Sequence, residues 1–234
     1  MEPTRTHSET VRPPRAFRAL EWTGVLAWPC AWAPAAWRAV SGGASWAAAA
    51  AGALLGWLLS DLISGTFHWA FDTWGSTSTP WLGRTLVRTF REHHVDPRAI
   101  TRHDFVETNG TNALAAIVLV IASLAFEVER AGGATLAIAM LVASLGVAAT
   151  SQIHKWAHVE RPPRAARWLQ RAGLLLRPEH HAEHHAPPHV RAYCITCGWL
   201  DPVLEALRLM PALERAITRL TGARPRASDR RPRR

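Results

Sequence analysis

"AGGATLAIAMLVASLGVAATSQI", residues 131–153, contains no charged side chain. A helix of about 20 apolar residues crosses a bilayer core, and this run exceeds that length. It leads straight into "HKWAH", residues 154–158. His154 and His158 are four apart, so a continuing helix points both rings the same way. One stretch therefore reads as a membrane span that emerges carrying a metal clamp.

Three other uncharged runs precede it. Residues 39–60 meet the spanning length. Residues 22–37, interrupted by Pro29 and Pro34, and residues 110–126 are shorter. Each short run is open as a tilted span, a re-entrant hairpin or a buried helix. Four such blocks between basic loops do not make one water-soluble core. The expected fold is an all-α integral membrane protein of about four transmembrane helices, with a cytoplasmic, histidine-rich, helical metal-binding face.

Charge placement tests that count. The chain has 27 Lys and Arg against 18 Asp and Glu, a net charge of +9. If all four runs cross, only Arg38 and Arg130 fall on one side, and 25 of the 27 basic residues fall on the other. Basic loops stay in the cytoplasm, so both termini are expected there, in a bacterial inner membrane. Glu2, Glu9, Pro13 and Pro14 precede any apolar run, which is unlike a cleavable signal. Residues 1–16 and the basic tail 224–234 are expected to be disordered, flanking a single domain over 17–223. Twelve tryptophans are many for 234 residues, and Trp22, Trp37, Trp46, Trp69 and Trp81 flank the apolar runs. Such rings suit a membrane interface.

The same topology gathers the histidines. His68 follows the second run in "SGTFHWAFDTWG", with Asp72 four residues on. His93 and His94 lie in "FREHHVDP", and His103 in "ITRHDFVETNG". "RPEHHAEHHAPPH", residues 177–189, adds His181, His184 and His185 in H-x-x-H-H spacing on one helical face. A single surface histidine needs no explanation, but this many on one membrane face point to metal. The set suffices for two ions. H-E-x-x-H is absent, which removes the usual metalloprotease pattern. Cys30, Cys194 and Cys197 are too few for iron–sulfur ligation, and the lone C-x-x-C reads as two ordinary thiols. Nitrogen donors with one carboxylate suit iron over magnesium or calcium, with zinc and copper left open.

"FHWAFDTWG", "FREHHVDPRAITRHDFVETNG", "QIHKWAH" and "HHAEHHAPPHVRAYCITCGWLD" resemble the signature of the Kua-type lipid desaturases. The resemblance runs from about Asp61 to Asp229, where "TGARPRASD" also fits, and is weak over the first 40 residues. That family includes enzymes that make the vinyl ether of plasmalogens and a plastid enzyme acting on phosphatidylglycerol. The Ala/Arg-rich composition directs the reading to the plasmanylethanolamine-desaturating branch. The resemblance implies two irons with O2 as co-substrate. It implies metal ligands at His68, His93, His94, His103, His154, His158, His181, His184 and His185, and a catalytic carboxylate at Asp72. His180 and His189 also match, as ligands or as groups that orient them. Cys197 stands where another residue is expected.

The expected activity is O2-dependent desaturation of the 1-O-alkyl chain of an ether phospholipid. No flavin or haem motif is visible, so electrons are expected from a separate cytochrome b5-like or ferredoxin-like protein. The alternatives are a desaturase or hydroxylase of a phospholipid acyl chain and a metal-binding membrane regulator. Nucleic-acid binding, suggested by the basic pI near 11.1, is not expected, because topology and lipid already account for the arginines.

Overall fold

The structure, a computed structural model, describes residues 14–76, 79, 83, 87–130 and 132–226, and these contain helices and no strands. The helices are α1 (Arg15–Ser41), α2 (Trp46–Thr73), α3 (Arg88–Val95), α4 (Phe105–Ser123), α5 (Gly133–His158), α6 (Arg164–Arg171), α7 (Pro178–His185), α8 (Asp201–Ala206) and α9 (Leu209–Thr221), with a 3-10 turn at Ala99–Arg102. Most of the expected N-terminal disorder, with His7, lies outside the described residues. So do the tail from residue 227, Trp81 and Arg84.

Among the described residues three helices, α2, α4 and α5, are long and apolar enough to cross a membrane. The chain is a membrane protein by this measure. Local sequence explains where they start. Ser45 caps α2 by accepting from the Ala48 amide, and Asp104 caps α4 by accepting from the Glu107 amide at 2.9 Å; each satisfies an amide that the first turn leaves unpaired. Helix α2 runs on beyond its uncharged stretch, past Ser60 to Thr73, so Asp61, His68 and Asp72 ride on the spanning helix itself.

The first apolar run is one helix of 27 residues, with Pro29 and Pro34 inside it, and no re-entrant hairpin. A proline forfeits a backbone bond; here α1 is braced along α4 and α5. Arg18 pairs with Asp104 at one end, and Arg38 donates to the Phe126 carbonyl at 2.6 Å at the other. Helix α1 thus runs the full height of α4. Between those ends Ser144 of α5 accepts from Trp28 Nε1 at 2.9 Å and donates to the Ala116 carbonyl at 2.8 Å. One hydroxyl so joins α1, α4 and α5.

Small residues let the helices approach closely. A Cβ on Gly56 of α2 would stand 2.3 Å from the Ala139 carbonyl oxygen of α5. Trp37 and Trp46 are 75% and 92% exposed, as interface rings would be, whereas Trp69 is buried against Tyr193, Cys194 and Leu204. Helices α6 to α9 and their loops pack where α2 and α5 end, and that end carries the histidines.

Candidate metal centre

Five imidazoles meet between α3, α5 and α7. His154 and His158 come from the last turns of α5, His93 from α3, and His181 and His185 from one face of α7. Their Nε2 atoms form a chain of contacts. His154 lies 2.8 Å from His181, His181 3.0 Å from His185, His185 2.9 Å from His93, and His93 3.2 Å from His158. Hydrogen bonding does not account for this. An imidazole Nε2 holds either one proton or one lone pair, so it enters one hydrogen bond. Of four contacts linking five nitrogens in a chain, at most two satisfy that limit. A shared cation satisfies all of them. Imidazole binds such metals at about 2.1 Å, so two nitrogens at right angles around an ion stand about 3.0 Å apart.

A second group abuts the first. His68 and Asp72 come from α2, His94 from α3 and His184 from α7. Asp72 Oδ2 lies 3.4 Å from His68 Nε2, 3.5 Å from His94 Nε2 and 3.3 Å from His184 Nε2, while the last two nitrogens are 3.0 Å apart. Among the described residues, both Asp72 oxygens and His68 Nε2 are buried without a hydrogen-bond partner. An uncompensated buried carboxylate is strongly disfavoured. A divalent cation among these four residues removes the penalty, so the donor set fits a metal. Adjacent histidines feed both groups, His93 and His94 on α3 and His181, His184 and His185 on α7.

The rings are in the form that binds metal. Burial, reinforced by neighbouring imidazoles, drives the pKa of His93 and His181 well down and that of His185 to about 3. All three are neutral at physiological pH. In the second group the tautomer is set by the backbone. His68 Nδ1 donates to the Tyr193 carbonyl at 3.0 Å, and His184 Nδ1 to the Arg191 carbonyl at 2.9 Å. Each bond leaves Nε2 free to ligate.

His103 stands apart from both groups. Its ring lies 3.7 Å from Glu107 and its carbonyl accepts from Lys155. His180 is paired with Asp201 at 2.7 Å, which raises its pKa. His189 Nδ1 donates to the His184 carbonyl at 3.0 Å, and its ring stacks on His94 at 4.6 Å. Asp72, expected as a catalytic carboxylate, sits among the candidate ligands.

Two buried acids that the sequence reading passed over hold the loop that orients His68 and His184. Asp61 of α2 is fully buried and accepts from the amides of Cys197, Gly198 and Leu200 at 2.8, 3.0 and 3.2 Å. Asp201 accepts from the Cys194 amide at 3.0 Å and binds His180. The available signal was an acid interrupting an apolar helix. The C-x-x-C is part of this loop. Both thiols are free and buried, and burial pushes both pKa values up. They are packing groups: a Cβ on Gly65 would come within 2.6 Å of Cys194 Sγ, so α2 needs glycine there.

A family profile described as "Lipid desaturase domain" matches residues 57–228, which takes in both groups and the loop behind them. The chain belongs to the lipid desaturase family. Among its relatives, plasmanylethanolamine desaturase of Myxococcus xanthus is 47% identical over 176 residues, covering 75% of this chain and 63% of that one. Plasmanylethanolamine desaturase 1 of Mus musculus is 41% identical, covering 76% and 68%. The chloroplastic fatty acid desaturase 4 of Arabidopsis thaliana is 36% identical, covering 74% and 52%. The chain thus spans under two thirds of the length of the bacterial relative. No solved structure matches.

Proposed function

We propose that the chain is a membrane di-iron oxidoreductase that desaturates the 1-O-alkyl chain of plasmanylethanolamine to a vinyl ether. The observation that carries this reading is the pair of abutting ligand groups, five histidines beside three histidines and Asp72, in a chain 47% identical to a plasmanylethanolamine desaturase. The all-nitrogen set with one carboxylate suits iron. His93, His154, His158, His181 and His185 would hold one ion, and His68, His94, His184 and Asp72 the other. Iron held there supplies activation of O2 for cleavage of unactivated C–H bonds.

The reaction balances with an external reductant. Reducing O2 to two waters takes four electrons and four protons. The two neighbouring carbons give two of each as the double bond forms, and a separate cytochrome b5-like or ferredoxin-like donor, with solvent protons, gives the rest. The chain's own part is position and charge. Asp72 brings the negative charge that offsets a bound cation. The carbonyls of Tyr193 and Arg191 hold His68 and His184 in ligating orientation. His181 and His184 are 1% and 0% exposed, so bulk water is kept from these two rings. The ligand groups sit where α2 and α5 finish, within reach of a chain entering from the bilayer. With α1 counted as a fourth crossing beside α4, the reading is a bacterial inner-membrane protein with both termini cytoplasmic, supported by the rule that basic loops stay in the cytoplasm.

Lipid extracts of a host with and without the gene test this. Acid-labile vinyl ethers are expected only when the gene is present. A hydroxylated alkyl chain, or a new double bond confined to acyl chains, would replace the proposed reaction.

A further inference from the structure

The segment from Arg161 to Arg177 contains five arginines, at 161, 164, 167, 171 and 177, and no acidic residue. All five are exposed. None has a side-chain hydrogen bond or salt bridge among the described residues, whereas nearby Arg98, Arg102 and Arg191 each pair with a carboxylate. Helix α6 buries Ala166 and Gln170 on its inner face. Its outer face sets Trp168, 66% exposed, between Arg164 and Arg171 on one helical stripe.

The position of this helix is as telling as its composition. The chain leaves α5 at His158 and enters α6 at Arg164. Leu169 packs against the buried cluster of Ile153, Leu175, Leu176 and Ile195, as do Ala149 and Trp57, and the Leu174 carbonyl accepts from Nε1 of Trp57 at 3.2 Å. Trp57 and Ala149 belong to two of the helices able to cross the membrane. At that turn Leu174 is 38% exposed, and Trp199, 39% exposed, donates to the Gly173 carbonyl at 2.6 Å. An exposed tryptophan beside arginines that have no partner among the described residues, on a short helix, matches an interfacial element. Such a helix buries its apolar face at the acyl boundary and raises its guanidinium groups to the phosphates.

We propose that α6 and the turn after it dock on anionic phospholipid headgroups of the bilayer that α2 and α5 cross, with Trp168 and Leu174 seated at the acyl boundary. The site is distinct from the metal centre, and the inference rests on the membrane reading of α2 and α5 rather than on the desaturase reaction. Charge alone would serve an acidic protein partner as well. The exposed Trp168 and Leu174 beside a spanning helix favour lipid.

The test uses the full chain with Cys30→Ser and Ala165→Cys, labelled at residue 165 with an environment-sensitive fluorophore. It is reconstituted in phosphatidylcholine nanodiscs with or without about 30 mol % phosphatidylglycerol. Expected with phosphatidylglycerol are blue-shifted emission, quenching by lipid brominated in the acyl chain, and protection from aqueous iodide. High salt on the unaltered helix, and Arg164→Gln with Arg167→Gln and Arg171→Gln, should each return the signal to the phosphatidylcholine level. The salt arm needs no variant to fold. Free access of iodide in both lipids would overturn the proposal and leave the arginines to an acidic protein. Bromolipid quenching that ignores phosphatidylglycerol, salt and the arginines would overturn headgroup recognition.

Discussion

His68 Nδ1 donates to the carbonyl oxygen of Tyr193, 3.0 Å away and 125 residues later in the chain. One bond therefore ties a spanning helix to the loop behind the metal centre. The loop is itself held by Asp61, seven residues before His68 on the same helix. Tyr193 thus acts on His68 from a frame that α2 sets.

Asp61→Asn should weaken metal binding without unfolding the helices. The amide nitrogen would face a backbone N–H where a carboxylate oxygen now accepts one, and the loop holding His68 and His184 would loosen. The expected loss is about 10- to 100-fold in metal affinity, the range seen for outer partners of ligands. Metal titration of the apo-protein, with helix content followed by circular dichroism, checks it. Unchanged affinity would show that the loop does not set the ligands.

Asp72→Asn keeps shape and removes charge from the second group, while the five-histidine group is untouched. Bound metal per chain should fall by about half and activity by about 100-fold or more. Full metal content in the variant would mean that the carboxylate is no ligand.

Alanine at His154, His158, His181, His184 or His185 should each cost about 100-fold or more in activity, with the protein still inserted in the membrane. Alanine at His103 should leave metal content intact, because its ring faces Glu107. Metal analysis of membrane-extracted variants separates the two classes. Loss of metal at His103→Ala would place that residue among the ligands.

Reporter fusions at the C-terminus and near Gly132 should report opposite sides of the membrane. Reporting on the same side would mean that α5 does not cross.

The helical class and the gathering of histidines were legible because both follow from long uncharged runs and from spacing. The division of the ligands was not. Its cause is the parallel course of α2 and α5, which brings His68 beside His154, and the interleaving of α7, whose His184 faces one group while His181 and His185 face the other. His103 shares a motif with His93 and His94, yet it follows the 3-10 turn at Ala99–Arg102 and its ring lies beside Glu107, outside both groups. Asp61 was missed because an acid at the end of an apolar run reads as a boundary. Only the returning loop, some 135 residues on, shows what it binds. Trp69 shows the same limit, since a ring beside an apolar run is as well suited to a core as to an interface.

The most direct test of the two-ion account is the iron content of the full-length protein, purified without chelator, with protein and metals quantified on the same sample. Two irons per chain are predicted, removable by chelation and restored together with activity by Fe2+. One tightly held zinc per chain, with every histidine intact, would contradict it.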